Sequence, residues 1–153
     1  MRKRRTHAPR GVYVGLTMLI FTVGVFFTLG VSGQKKILDA PGLRDTLYSL
    51  ADSTAKAQEL SFQFAQDRIT PNYFRIQMNS ILRDLQISQE QLTAAEVGSP
   101  LAGAKQETLE LSQKSISTIE QLRDSLFDKN LAKTDISIFE KITTESKKVA
   151  KNI

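Results

Sequence analysis

No cysteine occurs in the 153 residues. The chain can therefore form no disulfide, no thiolate metal site, no lipoprotein-type anchor and no covalent haem link. Tryptophan is absent too, and the single histidine, His7, lies in the first ten residues. No imidazole is left downstream to ligate a metal or to activate one of the many Ser and Thr hydroxyls. The Glu-x-x-His signature of di-iron bundles is missing, and so are Gly-rich phosphate loops and any Asn-x-Ser/Thr sequon. These gaps argue against an enzyme and against a cofactor, and together they fit a bacterial envelope protein.

Acid is missing from the first 36 positions, because all 16 Asp and Glu follow Lys36. The formal net charge of +5 therefore comes from Arg2, Lys3, Arg4, Arg5 and Arg10, since the other 16 Lys and Arg match the 16 acids. A nucleic-acid binder needs a basic face on a folded surface, and the sequence shows none, so no nucleic-acid partner is expected.

What the chain does have is a long apolar run. Residues 11 to 33 carry no charge, and positions 12 to 31 hold twelve Leu, Ile, Phe or Val residues. About 20 such residues at 1.5 Å each match the roughly 30 Å hydrocarbon core of a bilayer. Insertion is favoured by roughly 5 kcal/mol before the Gly and Thr costs. The expected order is a basic cytoplasmic tail over 1–10, a transmembrane signal anchor over 11–33, a linker over 34–42 and an extracytoplasmic helical bundle over 43–153. The five cations set the orientation by the positive-inside rule and can contact anionic lipid. Cleavage after Val31-Ser32-Gly33 is the competing reading, but the run exceeds the 7–15 residues usual for a signal h-region. Gly11-x-x-x-Gly15 and Gly24-x-x-x-Thr28 are candidate packing positions for the membrane helix.

Beyond the run the pattern is helical, with a/d stripes of coiled-coil type. Pro41 disfavours helix at Ala40 and Pro-Gly signals a turn, so the first bundle helix is expected from about Leu43 to Arg68. Its stripe is Leu43, Leu47, Leu50, Thr54, Ala57, Ser61 and Phe64. Thr70 caps a second helix opened by Pro71 and running to about Glu96, with Phe74, Met78, Ile81, Leu85, Ser88 and Leu92 inside. Gly98-Ser99-Pro100 repeats the grammar, with Gly ending one helix and Ser capping the next. The third helix carries Leu101, Ala104, Thr108, Leu111, Ser115, Ile119, Leu122 and Leu126 to about Phe127. Thr134 or Ser137 is expected to cap the last helix, which buries Phe139, Ile142, Ser146, Val149 and Ile153. Strand signals are absent. The fold class is all-α: an antiparallel up-and-down four-helix bundle behind one N-terminal anchor.

Six stripe positions carry Ser or Thr where Leu would pack better. Small hydroxyls let helices approach and bond back to the i−4 carbonyl, and the rarer alternative is a weakly packed, adjustable bundle. The aromatics are unevenly spread. In an up-and-down bundle Phe62, Phe64, Tyr73 and Phe74 flank the first turn, and Phe127 and Phe139 flank the third, at the same end. These rings either plug the open end of a core poor in bulk, the simpler reading, or anchor a partner within a rim of Arg68, Arg75, Lys129 and Lys133.

The Pro-led helix from Ser99-Pro100-Leu101 through Leu126, the loop Asp128-Lys129-Asn130-Leu131 and the final helix resemble small bacterial surface proteins of membrane-anchored helical-bundle type. The resemblance covers the C-terminal third and implies a fold, not an activity. One anchor followed by a bundle is also similar to the ligand-sensing half of bacterial chemoreceptors. That family needs a second membrane segment and a signalling module, so a stand-alone receptor is not expected. Divisome proteins and phage spanins run unbroken heptads, unlike the breaks here at Pro41, Pro71, Gly98 and Pro100. The expected role is an accessory subunit or protein-interaction adaptor at the cell envelope. Alternatives are a cleaved, exported bundle binding a small hydrophobic ligand, and a sensory input subunit.

Overall fold

The computed structural model describes residues 37–153. The basic tail, the apolar run with Gly11, Gly15, Gly24 and Thr28, and the start of the linker lie outside the described residues. Four helices follow in order: α1 (Ala40–Ala65), α2 (Pro71–Ala94), α3 (Ala102–Asp124) and α4 (Lys129–Asn152). Two short strands, β1 (Ile37–Leu38) and β2 (Glu96–Val97), pair in parallel, with Ile37 opposite Glu96 and Leu38 opposite Val97. Among the described residues no helix is long and apolar enough to cross a membrane.

Antiparallel packing follows from the short turns and from contacts across them. Thr54 and Thr143 share a 2.8 Å hydroxyl bond between α1 and α4, and Gln86 and Gln89 of α2 reach Glu120 and Gln113 of α3. α1 lies beside α2 and α4, and α3 completes the square, which is the expected up-and-down order. The first stripe is buried at every predicted position from Leu43 to Phe64. α1 and α4 make the most extensive backbone approach. Their buried faces include Ala51, Ala57, Ala132 and Ala150, small enough to allow it. Three of the six stripe hydroxyls act as the simpler reading requires: Thr54 donates to the Leu50 carbonyl at 2.9 Å, Thr108 to Ala104 at 2.6 Å and Ser115 to Leu111 at 2.9 Å, whereas Ser61 and Ser146 are buried without a partner. The donors of Thr54, Thr108 and Ser115 are satisfied locally, so each of these three occupies core space at little penalty.

Several boundaries differ from those expected. α1 begins at Ala40, not Leu43, with Asp39 as N-cap accepting from the Gly42 N–H at 2.9 Å. Pro41 in the first turn forfeits no intrahelical bond, and the cap outweighs the bias that proline imposes on Ala40. The strand pair is a second difference, since two residues are too short to show alternation. Gly98 has φ −64° and does not terminate α2, and Ser99 opens a 3₁₀ turn (Ser99–Leu101) without a side-chain cap. Lys105 instead caps the end of α2, its ammonium 2.6 Å from the Ala95 carbonyl and 3.4 Å from that of Thr93. α4 begins at Lys129, five or more residues before the expected cap. The Asp128 carboxylate accepts from the N–H groups of Asn130 and Leu131 at 2.8 and 3.0 Å. Thr134 and Ser137 donate to backbone carbonyls inside the helix rather than capping it.

Candidate functional site

The α1–α2 and α3–α4 turns form one end of the bundle, and both reverse through left-handed residues. α1 closes with Asp67 at φ 58°, where the Arg68 N–H returns to the Gln63 carbonyl at 2.9 Å. α3 closes with Leu126 at φ 54° and Phe127 at φ 58°, and the Phe127 N–H returns to the Leu122 carbonyl at 2.7 Å. These six-to-one bonds satisfy helix-end carbonyls in the Schellman manner, a job usually given to glycine. Here no glycine does it.

The turns bring most of the predicted aromatics together. Phe64 stacks on Phe74 with centroids 4.3 Å apart, and Phe127 meets Phe74 edge-on at 5.6 Å. All three are buried, so this trio closes the core. Each ring contributes roughly 1.5–3 kcal/mol by burial, with offset and edge contacts adding to it. Phe62 and Tyr73 instead remain exposed. Phe139 is not part of this end. Because α4 starts at Lys129, Phe139 lies ten residues along it, about 15 Å down the axis, fully buried in the main core.

The predicted cations divide similarly. Arg68 lies 5.9 Å from the Phe62 ring centroid, and Lys129 lies 5.8 Å from that of Phe64 while pairing with Asp67. That ion pair is solvent-exposed, so it contributes under about 1 kcal/mol. Arg75 is exposed and donates to Asn72 Oδ1 at 2.8 Å. Lys133 is exposed on the second turn of α4.

An open groove of about 460 Å³ lies beside the aromatic trio, lined by Pro71, Asn72, Arg75, Asn79, Arg123, Leu126 and Phe127. Only Arg75 and Phe127 of these were singled out from sequence. The heptad spacing places Leu126 on the inward stripe, yet it is 89% exposed. The left-handed backbone turns Phe127 inward and leaves its neighbour in solvent. Nothing in the sequence marks that reversal, because Ser125-Leu126-Phe127 contains neither Gly nor Asn. Chemically, the groove offers guanidinium and amide donors beside an apolar wall.

A second feature lies in the α1–α4 seam. Asp135 is 2% exposed, and burial pushes its carboxyl up to about 6. The Thr54–Thr143 bond and the Asp67–Lys129 pair fix the register of the two helices, which brings Ser61 level with Asp135. Ser61 Oγ, Asp135 Oδ2 and Ser146 Oγ are buried without a hydrogen-bond partner. Between α1, α2 and α3, a gap of about 40 Å³ is lined by Thr46, Ser49, Ser53, Asp84, Ser88, Thr108 and Ser112 among others. Among the described residues no cluster of three or more His, Cys, Asp or Glu could hold a metal ion.

No family model matches the chain, and neither a search of curated proteins nor one of solved structures finds a match.

Proposed function

We propose that the protein is a non-enzymatic adaptor or accessory subunit of the cell envelope. The apolar run anchors it in the membrane, with the tail on the cytoplasmic side and the bundle outside. The bundle presents its turn end to a protein partner. One observation carries this reading. Among the described residues, the end farthest from where the chain enters the bundle carries four of the seven large exposed apolar side chains, Leu126 (89%), Ile76 (54%), Tyr73 (49%) and Phe62 (40%), and Leu126 lines an open groove there. α1 alone spans 26 residues, roughly 39 Å, so an anchored chain holds that end well clear of its entry point. Large apolar side chains grouped at an accessible edge mark interaction surfaces. A carrier of small hydrophobic ligands has less support. The gap between helices is about 40 Å³, against the roughly 300 Å³ or more of ligand pockets.

Two measurements test the proposal. An anchored protein stays in the membrane pellet after alkaline wash and keeps its N-terminus at residue 1 or 2, whereas a mature N-terminus at Gln34 removes the anchor. A photoreactive side chain at Tyr73 in intact cells is expected to give a discrete product that the same probe at Ile87, equally exposed in mid-helix, does not. Equal labelling at both positions would leave the aromatics with a packing role only.

A further inference from the structure

We infer that the groove beside Leu126 is a docking site for an acidic segment of a protein partner, one that presents a carboxylate next to an apolar side chain. The inference rests on the adaptor reading and specifies what that adaptor binds.

The lining has one sign of charge. Arg75 from the start of α2 and Arg123 from the end of α3 both line the groove, with Asn72 and Asn79 between them in chemistry, and no Asp or Glu does. Each guanidinium carries five N–H donors in a fixed fork that matches a carboxylate. Arg75 gives one to Asn72, and Arg123 gives one to Asp124. The other donors are open to a ligand. The carboxylates at this end are already engaged: Asp67 with Lys129, Asp124 with Arg123, and Asp128 as the N-cap of α4. Among the described residues neither Arg68 nor Arg75 has an acid as ion-pair partner.

The apolar wall supplies the second half of the chemistry. Leu126 and Phe127 share the left-handed conformation, which L side chains adopt at an energetic penalty. Phe127 has a compensating role, because its ring is buried against Phe74. Leu126 has none in the isolated chain, where its side chain is almost wholly in solvent. A glycine would make the same turn without strain. Strain kept at an exposed apolar residue beside a groove is what a contact made in a complex requires. The groove's volume of about 460 Å³ suits a few side chains of a peptide segment.

The charge of the bundle argues for a short acidic segment rather than a nucleic acid. Residues 37–153 contain 14 Lys and Arg against 16 Asp and Glu. A long polyanion therefore finds no continuous basic track, while a local carboxylate finds Arg75, which has no acidic partner among the described residues, and the remaining donors of Arg123, which Asp124 holds only through Nε.

The experiment uses the full chain in its own cells, with a benzophenone side chain at Leu126 and, separately, at Tyr73. A product is expected at Leu126, mapped by mass spectrometry to a partner segment with Asp or Glu beside an apolar residue. Arg75→Glu with Arg123→Glu should lower its yield by about tenfold or more, and Arg75→Gln with Arg123→Gln by less. Both arginines are solvent-exposed, so unchanged thermal melting of the variants shows that the loss is not misfolding. A Leu126 product undiminished by charge reversal overturns the acidic partner. A product at Tyr73 but not at Leu126 overturns the groove, and in both cases the adaptor reading survives. Mapping to a second copy of this chain or to lipid also overturns the inference. No product at either position sinks the adaptor reading itself.

Discussion

The two ends of the bundle solve the same closure problem with different chemistry. At the end where the chain enters, Leu38 is tucked in by the β1–β2 pair, Asp39 caps α1 and Lys105 caps α2. Backbone polar groups are satisfied there by side chains and by a strand partner, at modest gain per bond. At the turn end, three rings plug the core, and the backbone reverses through Asp67, Leu126 and Phe127 at positive φ. One end is closed by polar bonding and keeps its backbone relaxed. The other is closed by aromatic burial and holds strain at Leu126, an exposed apolar residue, whereas the exposed Ile37 of the entry end sits in a strand without positive φ. The contrast separates what the fold needs from what it displays: Phe64, Phe74 and Phe127 are needed, whereas Leu126, Tyr73 and Phe62 are displayed.

Removing the central ring should have the largest effect. Phe74→Ala is expected to lower stability by about 3–5 kcal/mol, and Leu38→Ala at the other end by nearer 2. Chemical denaturation of the bundle would measure both, and a Leu38 loss equal to that of Phe74 would erase the distinction between the ends.

Next in size is a pH effect from the seam below the turn end. Burial raises the Asp135 carboxyl from 3.8 to about 6, so between those values the folded chain keeps a proton that the unfolded chain has released. The contribution of this group is then fully present below about pH 4, is lost as pH rises, and is gone above about pH 6, a difference of roughly 3 kcal/mol. Asp135→Asn should remove this slope. Denaturation midpoints of parent and variant that move in parallel from pH 4 to 8 would show that another group is responsible.

A smaller change tests the display directly. Leu126→Gly relieves the left-handed strain and should stabilise the bundle by about 1 kcal/mol, while weakening crosslinking from Tyr73. Lost stability would mean that Leu126 packs after all. Smallest is a glycine pair near the entry end. A Cβ at Gly103 meets nothing within 4 Å, whereas one at Gly42 would lie 2.9 Å from Leu38 Cδ1. Gly103→Ala should add about 0.5–1 kcal/mol, and Gly42→Ala should add none. Equal gains in thermal melts would show that Leu38 yields freely.

Most of the fold was legible because burial follows period. Leu43 through Phe64 and Phe74 through Leu85 stand inside at the spacing that the sequence shows, and Thr70-Pro71 opened α2 as read. The misses concentrate where local chemistry is short-ranged. Asp128 captured the start of α4 from Thr134 and Ser137 because its carboxylate reached two free N–H groups at once. That shift took Phe139 away from the tip and into the core. The site was half legible: Arg75 and Phe127 stood out, but Arg123 and Asn79 read as ordinary surface residues, and Leu126 as interior.

The sequence by itself determined the helical class, the number of bundle helices, the inward stripes and the polar character of the seams. These depend on spacing along one chain, which a 3.6-residue period converts directly into a buried face. Tertiary structure alone decided which rings seal the core and which face water, that Asp135 is stranded at the level of Ser61, and that Arg75 and Arg123 line one groove. Those relations join residues tens of positions apart, and they turn on the backbone reversal at Leu126 and Phe127. That reversal is set by where two helices must meet, not by the propensities of the residues that make it.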